Sequence, residues 1–201
     1  MENLYLIVGL GNPGADYART RHNAGFLVAD RLAERWRANW AYEKKFSARL
    51  ASAQRNDRRV LLCEPQTYMN SSGEAVGAVV AFYRVPLTAL LVVVDDADLP
   101  LGELRLRPGG SSGGHHGLES IEQHVASREF ARLRIGIGRK DGAREITGHV
   151  LGRLGPDEMD LMEKVLARAA DQTECWLADG IQKAMNRFNG TLNGPTNEGK
   201  Q

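Results

Sequence analysis

Hydrophobic and polar positions follow two different periods along the chain, and the change of period predicts where strands and helices lie. An apolar run over residues 4–8 predicts a buried strand, and an apolar stripe over residues 24–36 predicts a helix. Alternation around a turn at residues 55–57 predicts a hairpin of residues 46–53 and 59–63. The other predicted strands are 90–94, 103–107 and 132–138, and the other predicted helices are 71 or 72 to about 84, a short one after 117, 156–179 and 183–188.

The order of these elements predicts the fold class. Because strands and helices interleave, and because a hairpin and uneven spacing interrupt them, we expect an α/β fold with a mixed central β-sheet flanked by helices on both faces. The 201 residues contain no internal repeat and no linker, so residues 1–190 are interpreted as a single domain. The polar segment from residue 189, and residues 191–201 in particular, is predicted to be disordered.

Composition narrows the class of protein. A content of 42% hydrophobic and 25% charged residues is typical of a soluble globular protein. No apolar run approaches the ~18 residues of a membrane span and no secretory leader opens the chain, so we expect a cytoplasmic protein with no membrane partner. Cys63 and Cys175 lie far apart without metal-binding spacing, and both are interpreted as buried thiols.

Charge is nearly balanced overall but is unevenly distributed. The net charge is +1, yet residues 101–153 carry 9 Lys and Arg against 6 Asp and Glu, whereas residues 154–201 carry 5 against 8. A local basic surface on a nearly neutral protein suits a few phosphate contacts better than a long duplex track. An ordinary solvated surface explains the same distribution equally well.

The glycine-rich turn after the first strand matches GxGxxG at residues 9–14, the fingerprint of dinucleotide binding. Such a site needs a helix that begins within the motif, because its free N–H groups hold the pyrophosphate. Here Pro13 removes one N–H group, and helical periodicity begins only near Ala24. Asp30, the acidic residue nearest the expected distance, falls inside the predicted helix. The turn therefore does not favour nucleotide binding.

His22 is the strongest candidate for a general base. Asp95 ends the most apolar predicted strand, and proteins of this class place their chemistry at the carboxyl ends of strands. A carboxylate there would accept Nδ1–H of His22 and raise the basicity of Nε2. Asn12, Asn70 and the His115–His116 pair also lie on loops after predicted strands. Without a nucleophile elbow or a metal-ligand set, these groups favour attack by water on an activated acyl group.

The sequence also contains two alternative candidate binding sites. Asp95, Asp96 and Asp98 lie within one turn and are a candidate divalent-cation site, although no further carboxylate stands at compatible spacing. The glycine-rich segment of residues 109–114 is a candidate phosphate cradle. It lacks the lysine of a Walker loop, so a mobile lid or binding loop is favoured.

Five motifs resemble bacterial-type peptidyl-tRNA hydrolase over residues 3–190. They are VGLGNPGADYARTRHNAGF, PQTYMNSSGEAV, VVVDDADLPLGELRLRPGG, SSGGHHGLESI and FARLRIGIGR. The resemblance implies a single-domain α/β fold with a mixed sheet. It also implies hydrolysis of the ester between a peptide and the 3′ ribose of tRNA, without metal, cofactor or covalent intermediate. The expected partner is peptidyl-tRNA, and we expect a monomer with no obligate protein partner.

The resemblance also implies roles for individual residues. His22 would be the general base and Asp95 its partner. Asn12 and Asn70 would hold the peptide or the developing oxyanion. The remaining implied contacts are Met69, His115 and Tyr17, which would line or close the cleft, and Arg107 and Arg134, which would clamp the tRNA 5′ phosphate.

One position departs from the family pattern. The family usually reads His-Asn-Gly where this chain has His115-His116-Gly117. A neutral imidazole carries one donor and one acceptor on opposite ring edges, so His116 replaces only part of what an amide offers. We expect this change to affect substrate positioning and to add pH dependence near the imidazole pKa of ~6.5. It is also the one motif feature that favours an alternative function, a non-catalytic RNA-binding protein of the same fold acting in RNA processing.

Overall fold

An eight-stranded mixed β-sheet forms the centre of the molecule in the computed structural model, which describes residues 4–138, 152 and 155–192. The strand order is β2-β3-β4-β1-β5-β7-β6-β8, with β4, β1, β5 and β7 parallel and the outer strands antiparallel. The strands are β1 (Leu4–Gly9), β2 (Ala41–Glu43), β3 (Ala48–Arg55), β4 (Arg58–Pro65), β5 (Leu90–Asp96), β6 (Glu103–Arg107), β7 (Ala131–Gly136) and β8 (Gly190–Thr191). The predicted α/β fold with a mixed sheet is confirmed.

Helices cover both faces of the sheet, which explains why the central strands are almost continuously apolar. The described helices are α1 (Ala24–Trp36), α2 (Ser72–Tyr83), α3 (His116–Val125), α4 (Pro156–Asp179) and α5 (Ile181–Phe188). One core cluster joins α1, α4 and α5 to the sheet around Ile7 and Leu133. The other joins α2 and α3 to the opposite face around Val8 and Val92.

The hairpin differs from its prediction at both ends. Phe46 belongs to a 3₁₀ turn, Lys44–Phe46, and the short strand β2 precedes it. β4 continues to Pro65, two residues beyond the predicted strand, because Glu64 and Pro65 pair in register with Arg49 and Ala48. A three-residue, largely exposed strand such as β2 carries too little alternation to be recognised in a sequence.

The end of the chain is ordered further than predicted. Gly190–Thr191 forms β8 and pairs with β6, so the prediction of disorder from residue 189 is wrong for these residues. The Asn189 side chain accepts the N–H of Leu106 at 2.7 Å and donates to the Leu106 carbonyl at 3.2 Å. Residues 193–201 lie outside the described residues, and disorder there stays a prediction.

Two further findings concern the cysteines and the apolar character of the helices. Cys63 and Cys175 are both buried and unbonded to each other, as predicted. Within the described residues, no helix combines the length and the apolar character needed to cross a membrane.

Candidate active site

His22 and Asp95 meet at the carboxyl edge of the parallel strands. His22 lies on a 3₁₀ turn, Arg21–Asn23, directly before α1, and Asp95 is the penultimate residue of β5. Nδ1 of His22 lies 2.8 Å from Oδ1 of Asp95. The Asp95 side chain is only 3% exposed and the His22 side chain 14%. The predicted pair is therefore in direct contact, with the imidazole still open to solvent.

Glycine at position 25 makes this approach sterically feasible. A side chain at Gly25 would overlap the carbonyl oxygen of Val93 in β5 and the backbone of Leu10. A side chain at Gly9 would in turn lie 2.2 Å from the carbonyl oxygen of Gly25. The first turn of α1 therefore packs directly on β1 and β5, and His22 is held next to the end of β5.

His115 contacts the same carboxylate oxygen from the other side. Its Nε2 lies 3.1 Å from Oδ1 of Asp95, while its Nδ1 accepts the N–H of Leu118 at 3.3 Å and so caps α3. Because a backbone N–H always donates, the proton of neutral His115 must lie on Nε2 and point at Asp95. The two imidazole rings are 5.4 Å apart between centroids.

These contacts determine the protonation of the site. Burial opposes ionisation of Asp95, but hydrogen bonds from His115 and His22 outweigh it and hold the pKa of the carboxyl well below its usual range. An ionised Asp95 draws the proton of neutral His22 to Nδ1. Nε2 of His22 then carries a lone pair and is available as a base.

Asn12 is held by the backbone and by Asn23. The N–H of Asn12 donates to Oδ1 of Asn23 at 2.9 Å, and Nδ2 of Asn23 donates to the Asn12 carbonyl at 3.0 Å. Oδ1 of Asn12 accepts the N–H of Met69 at 2.8 Å. With the oxygen occupied, the amide NH₂ of Asn12 is the end that remains to donate, and the described residues contain no partner for it.

The segment after β4 reaches the same edge. Met69 is buried, and a Cβ on Gly117 would lie 2.6 Å from its sulfur, so glycine at 117 lets Met69 pack beside His115 and Leu10. Asn70 follows on a 3₁₀ turn and is exposed. Asn12 is thus in direct contact with Met69, which packs beside His115, and Asn70 is the residue that follows Met69 in the chain.

Tyr17 and His116 are placed differently. Tyr17 is half-buried, and its backbone bonds within its own loop to Gly14 and Thr20. The His116 side chain is 77% exposed, and its Nδ1 lies 3.3 Å from Oε2 of Glu119. Neither side chain makes a hydrogen bond to Asp95 or His22, and their implied roles at the substrate stay predictions.

The two arginines predicted to hold phosphate differ in their exposure and in their hydrogen bonds to the rest of the protein. Arg107 ends β6 and is exposed, and within the described residues its guanidinium bonds only to the carbonyl of its neighbour Leu106, at 3.1 Å. Arg134 on β7 is 13% exposed and bonds to Asp96 and to two loop carbonyls. Arg107 is therefore the more accessible of the two.

The carboxylates of Asp95 and Asp96, the last two residues of β5, are already engaged in hydrogen bonds. Asp95 accepts both imidazoles, whereas Asp96 accepts the N–H of Asp98 through one oxygen and Arg134 through the other. Among the residues that the structure describes, His22, Asp95 and His115 form a group whose ligand atoms lie close enough together to hold a metal ion. Their 2.8 and 3.1 Å contacts are shorter than the separation of about 3.3 Å between ligands of tetrahedral zinc, and they match direct hydrogen bonds.

Sequence reasoning missed two supports of the site. One is Asn23, whose bonds to Asn12 depend on the path of an eleven-residue loop that no local pattern encodes. The other is Arg21, which binds Glu158 of α4 at 2.6 Å and so ties the turn that carries His22 to a distant helix. The sequence shows an arginine directly before the candidate base, but its burial is visible only in the structure.

Comparison with known proteins identifies the family of the chain. A family model described as Peptidyl-tRNA hydrolase matches residues 6–197. A peptidyl-tRNA hydrolase of Synechococcus sp. (strain JA-2-3B'a(2-13)) is 48% identical, covering 98% of this chain and 88% of the relative. The crystal structure of peptidyl-tRNA hydrolase from Acinetobacter baumannii superposes with a TM-score of 0.89 at 38% identity, covering 95% of this chain and 97% of the other. The resemblance drawn from the five motifs is confirmed, and the chain belongs to the peptidyl-tRNA hydrolase family.

Proposed function

We propose that this protein hydrolyses the ester between a peptide and the 3′ ribose of tRNA and so releases tRNA for reuse. Membership of the family supports the substrate. The observation that carries the chemistry is the 2.8 Å contact between Nδ1 of His22 and Asp95, which leaves Nε2 of a neutral imidazole with a lone pair.

The reaction begins with water bound next to His22. Nε2 removes a proton from this water, and the resulting hydroxide attacks the ester carbonyl carbon. Asp95 stabilises the imidazolium that forms, since its carboxylate stays ionised. Direct attack by hydroxide suffices without an enzyme acyl intermediate, because an ester expels its alkoxide more readily than an amide expels its unprotonated nitrogen.

In this proposal the amide group of Asn12 stabilises the tetrahedral intermediate. Its oxygen is occupied by the N–H of Met69, so its NH₂ donates to the developing oxyanion. The ribose oxygen then leaves and takes the proton from Nε2 of His22. The products are a free peptide carboxylate and tRNA with its 3′ hydroxyl group restored.

Selectivity for a peptide over a single amino acid follows from the same edge. Asn70 is exposed next to Met69 and offers a donor and an acceptor to the first peptide amide, which aminoacyl-tRNA lacks. Met69 and His115 line the cleft, and Tyr17 closes it near the ester. Arg107 contacts the tRNA 5′ phosphate, a role its exposed guanidinium supports.

The setting of this activity is also part of the proposal. We infer that the protein acts in the cytoplasm as a monomer, with peptidyl-tRNA as its partner and with neither a cofactor nor an obligate protein partner. In the proposed mechanism, residues of this chain carry out each proton transfer. The alternative, an RNA-binding protein without activity, rested on His116, whose exposed side chain bonds to Glu119 and leaves the groups around Asp95 in place.

The direct test is turnover of purified peptidyl-tRNA, followed by release of free tRNA. Wild-type protein should hydrolyse peptidyl-tRNA and spare aminoacyl-tRNA. A folded wild-type protein that binds the substrate without cleaving it would favour the RNA-binding alternative.

A further inference from the structure

A second cleft lies at the end of the sheet opposite to Asp95. It has a volume of about 400 Å³ and is lined by residues at the amino ends of the central strands, among them Tyr5 of β1, Arg58 of β4 and Leu87 before β5. Asp95 is at the other end of β5, and the 7 residues of this strand span about 20 Å. The cleft is therefore separate from the proposed active site.

The walls of this cleft are mainly apolar. Tyr5 contacts Trp176 of α4 edge to face, with 5.4 Å between the ring centroids, and Leu87 and Ile181 add aliphatic surface. Gly180, which joins α4 to α5, would place a Cβ into open space, with no atom within 4 Å. A cleft of this size with apolar walls and a few polar groups is typical of a site for a small ligand.

Two charged side chains of opposite sign line the cleft, and neither forms an ion pair within the described residues. The guanidinium of Arg58 lies over the Tyr5 ring, 5.0 Å from its centroid, and makes no hydrogen bond to the part of the chain that the structure describes. The exposed carboxylate of Glu129 likewise has no such bond there. Stacking on Tyr5 holds the planar guanidinium in place while its N–H groups stay available to bind a carboxylate.

The order of the strands determines how far apart these two charges are. Arg58 begins β4 and Glu129 lies two residues before β7, and β1 and β5 stand between these strands. Three intervals of about 4.8 Å place the two backbones about 14 Å apart. Because both side chains line the cleft, they shorten this gap. An extended peptide spans at most about 3.5 Å per residue, so about three residues reach from one charge to the other, whereas a single amino acid does not.

We propose that this cleft binds a short apolar peptide as a zwitterion, with its terminal carboxylate on Arg58 and its terminal ammonium group on Glu129. The side chains of the peptide pack against the apolar wall formed by Tyr5, Leu87 and Trp176. The opposite charges at the two ends of the cleft determine the direction of the bound peptide. This site goes beyond the proposed hydrolysis and does not depend on it.

Isothermal titration calorimetry with the tripeptide leucyl-alanyl-leucine tests the proposal. We expect saturable one-to-one binding with a Kd between about 10 µM and about 1 mM, as for a ligand of this size with ordinary contacts. Free leucine does not reach both charges and buries less apolar surface, so it should bind at least about tenfold more weakly.

Removing one charge at a time assigns the two ends of the peptide. Amidation of its C-terminus should weaken binding to the wild type about two- to fivefold, the usual effect of losing a partly exposed ion pair, and should not weaken binding to Arg58→Gln further. Acetylation of its N-terminus should weaken binding to the wild type but not to Glu129→Gln. Pairing a change in the ligand with a change in the protein isolates each contact.

Arg55→Gln is the matched control. Arg55 is opposite Arg58 in the β3–β4 register and is likewise stacked on an aromatic ring, 5.5 Å from the centroid of Trp36. It lines a neighbouring, smaller cleft with Asn56. Its replacement removes the same charge from the same hairpin, and the affinity for the tripeptide should stay within about twofold because exposed charges at this distance are screened.

Several outcomes would overturn the proposal once circular dichroism has shown that the variants are folded. One is the absence of saturable binding by the wild type in the millimolar range. Another is that both end modifications weaken binding equally in the wild type, Arg58→Gln and Glu129→Gln. Binding that is lost in Asn70→Ala but kept in both charge variants would place the peptide at the proposed active site instead.

Discussion

Asn23 and Asn12 hold each other through two hydrogen bonds, N–H of Asn12 to Oδ1 of Asn23 at 2.9 Å and Nδ2 of Asn23 to the Asn12 carbonyl at 3.0 Å. Both residues are buried. Because Asn23 directly follows His22, one residue fixes the loop that carries the proposed oxyanion donor against the turn that carries the proposed base.

Asn23→Ala should therefore lower kcat more than it raises KM. It leaves a buried N–H and a buried carbonyl of Asn12 without partners, which costs on the order of 1–3 kcal/mol each in the free energy of unfolding. Thermal unfolding and steady-state kinetics measure the two effects separately. Normal kcat in a variant of reduced stability would show that Asn12 keeps its position without this support.

His22→Ala should lose about 10²- to 10⁴-fold in kcat, the usual contribution of a general base. The matched control is His124→Ala on α3, where Nδ1 bonds to the carbonyl of Ser120 away from Asp95. The control should retain turnover close to the wild type. Near-normal turnover by His22→Ala would exclude it as the base.

Arg107→Glu should raise KM for full peptidyl-tRNA and reduce the slope of log KM against log salt by about one, as expected when one phosphate contact is lost. A minimal substrate, the peptidyl ester of a short 3′-terminal oligonucleotide that lacks the 5′ phosphate, serves for comparison. Arg107→Glu should cleave it at the normal rate. An equal effect on both substrates would contradict a phosphate contact at Arg107.

Glu64 should make the protein less stable as the pH rises. Its side chain has no exposed surface, and burial first, then the nearby Asp30 carboxylate, raise its pKa to about 8 against the opposing effect of Arg49. The folded pKa exceeds the unfolded value of about 4.3. The stabilisation from the protonated form is therefore complete below about pH 4.3 and is lost as the pH rises towards about 8. The 2.9 Å contact with Arg49 accordingly becomes an ion pair mainly above that pH.

The melting temperatures of the wild type and of Glu64→Gln, measured from about pH 5 to about pH 8, test this effect. The variant should lose less stability than the wild type over the range. Glu34→Gln, at an exposed position of α1, controls for the loss of one carboxylate. Parallel curves for the wild type and Glu64→Gln would show that Glu64 is ionised throughout.

The sequence was most informative where one local pattern decides the structure. β5 was predicted because Leu90–Val94 is uniformly apolar, and α4 was predicted with its observed bounds because Pro156 suits the first turn of a helix. His22 and Asp95 were paired because strand ends collect chemistry in this fold class. His115 was named because it lies on a loop after a predicted strand, and the family motifs then added Met69; the folded chain brings both to the same edge.

The missed features depend on contacts between distant segments. Asn23 bonds to Asn12 across a loop. Arg134 on β7 bonds to Asp96 on the neighbouring strand β5 and to the glycine-rich loop. A sequence shows that Arg134 is basic but not which acceptors surround it. For the same reason β8 was read as part of a polar tail, since its pairing depends on β6.

Asn189 has a consequence for the outer edge formed by β6 and β8. Its carboxamide matches both backbone groups of Leu106, just past the point where the two residues of β8 stop pairing with β6. An open strand edge is a template on which another chain can add a strand. Because the Asn189 side chain occupies the N–H and the carbonyl of Leu106, another strand cannot pair with these two groups. Arg107, the next residue, remains exposed to solvent.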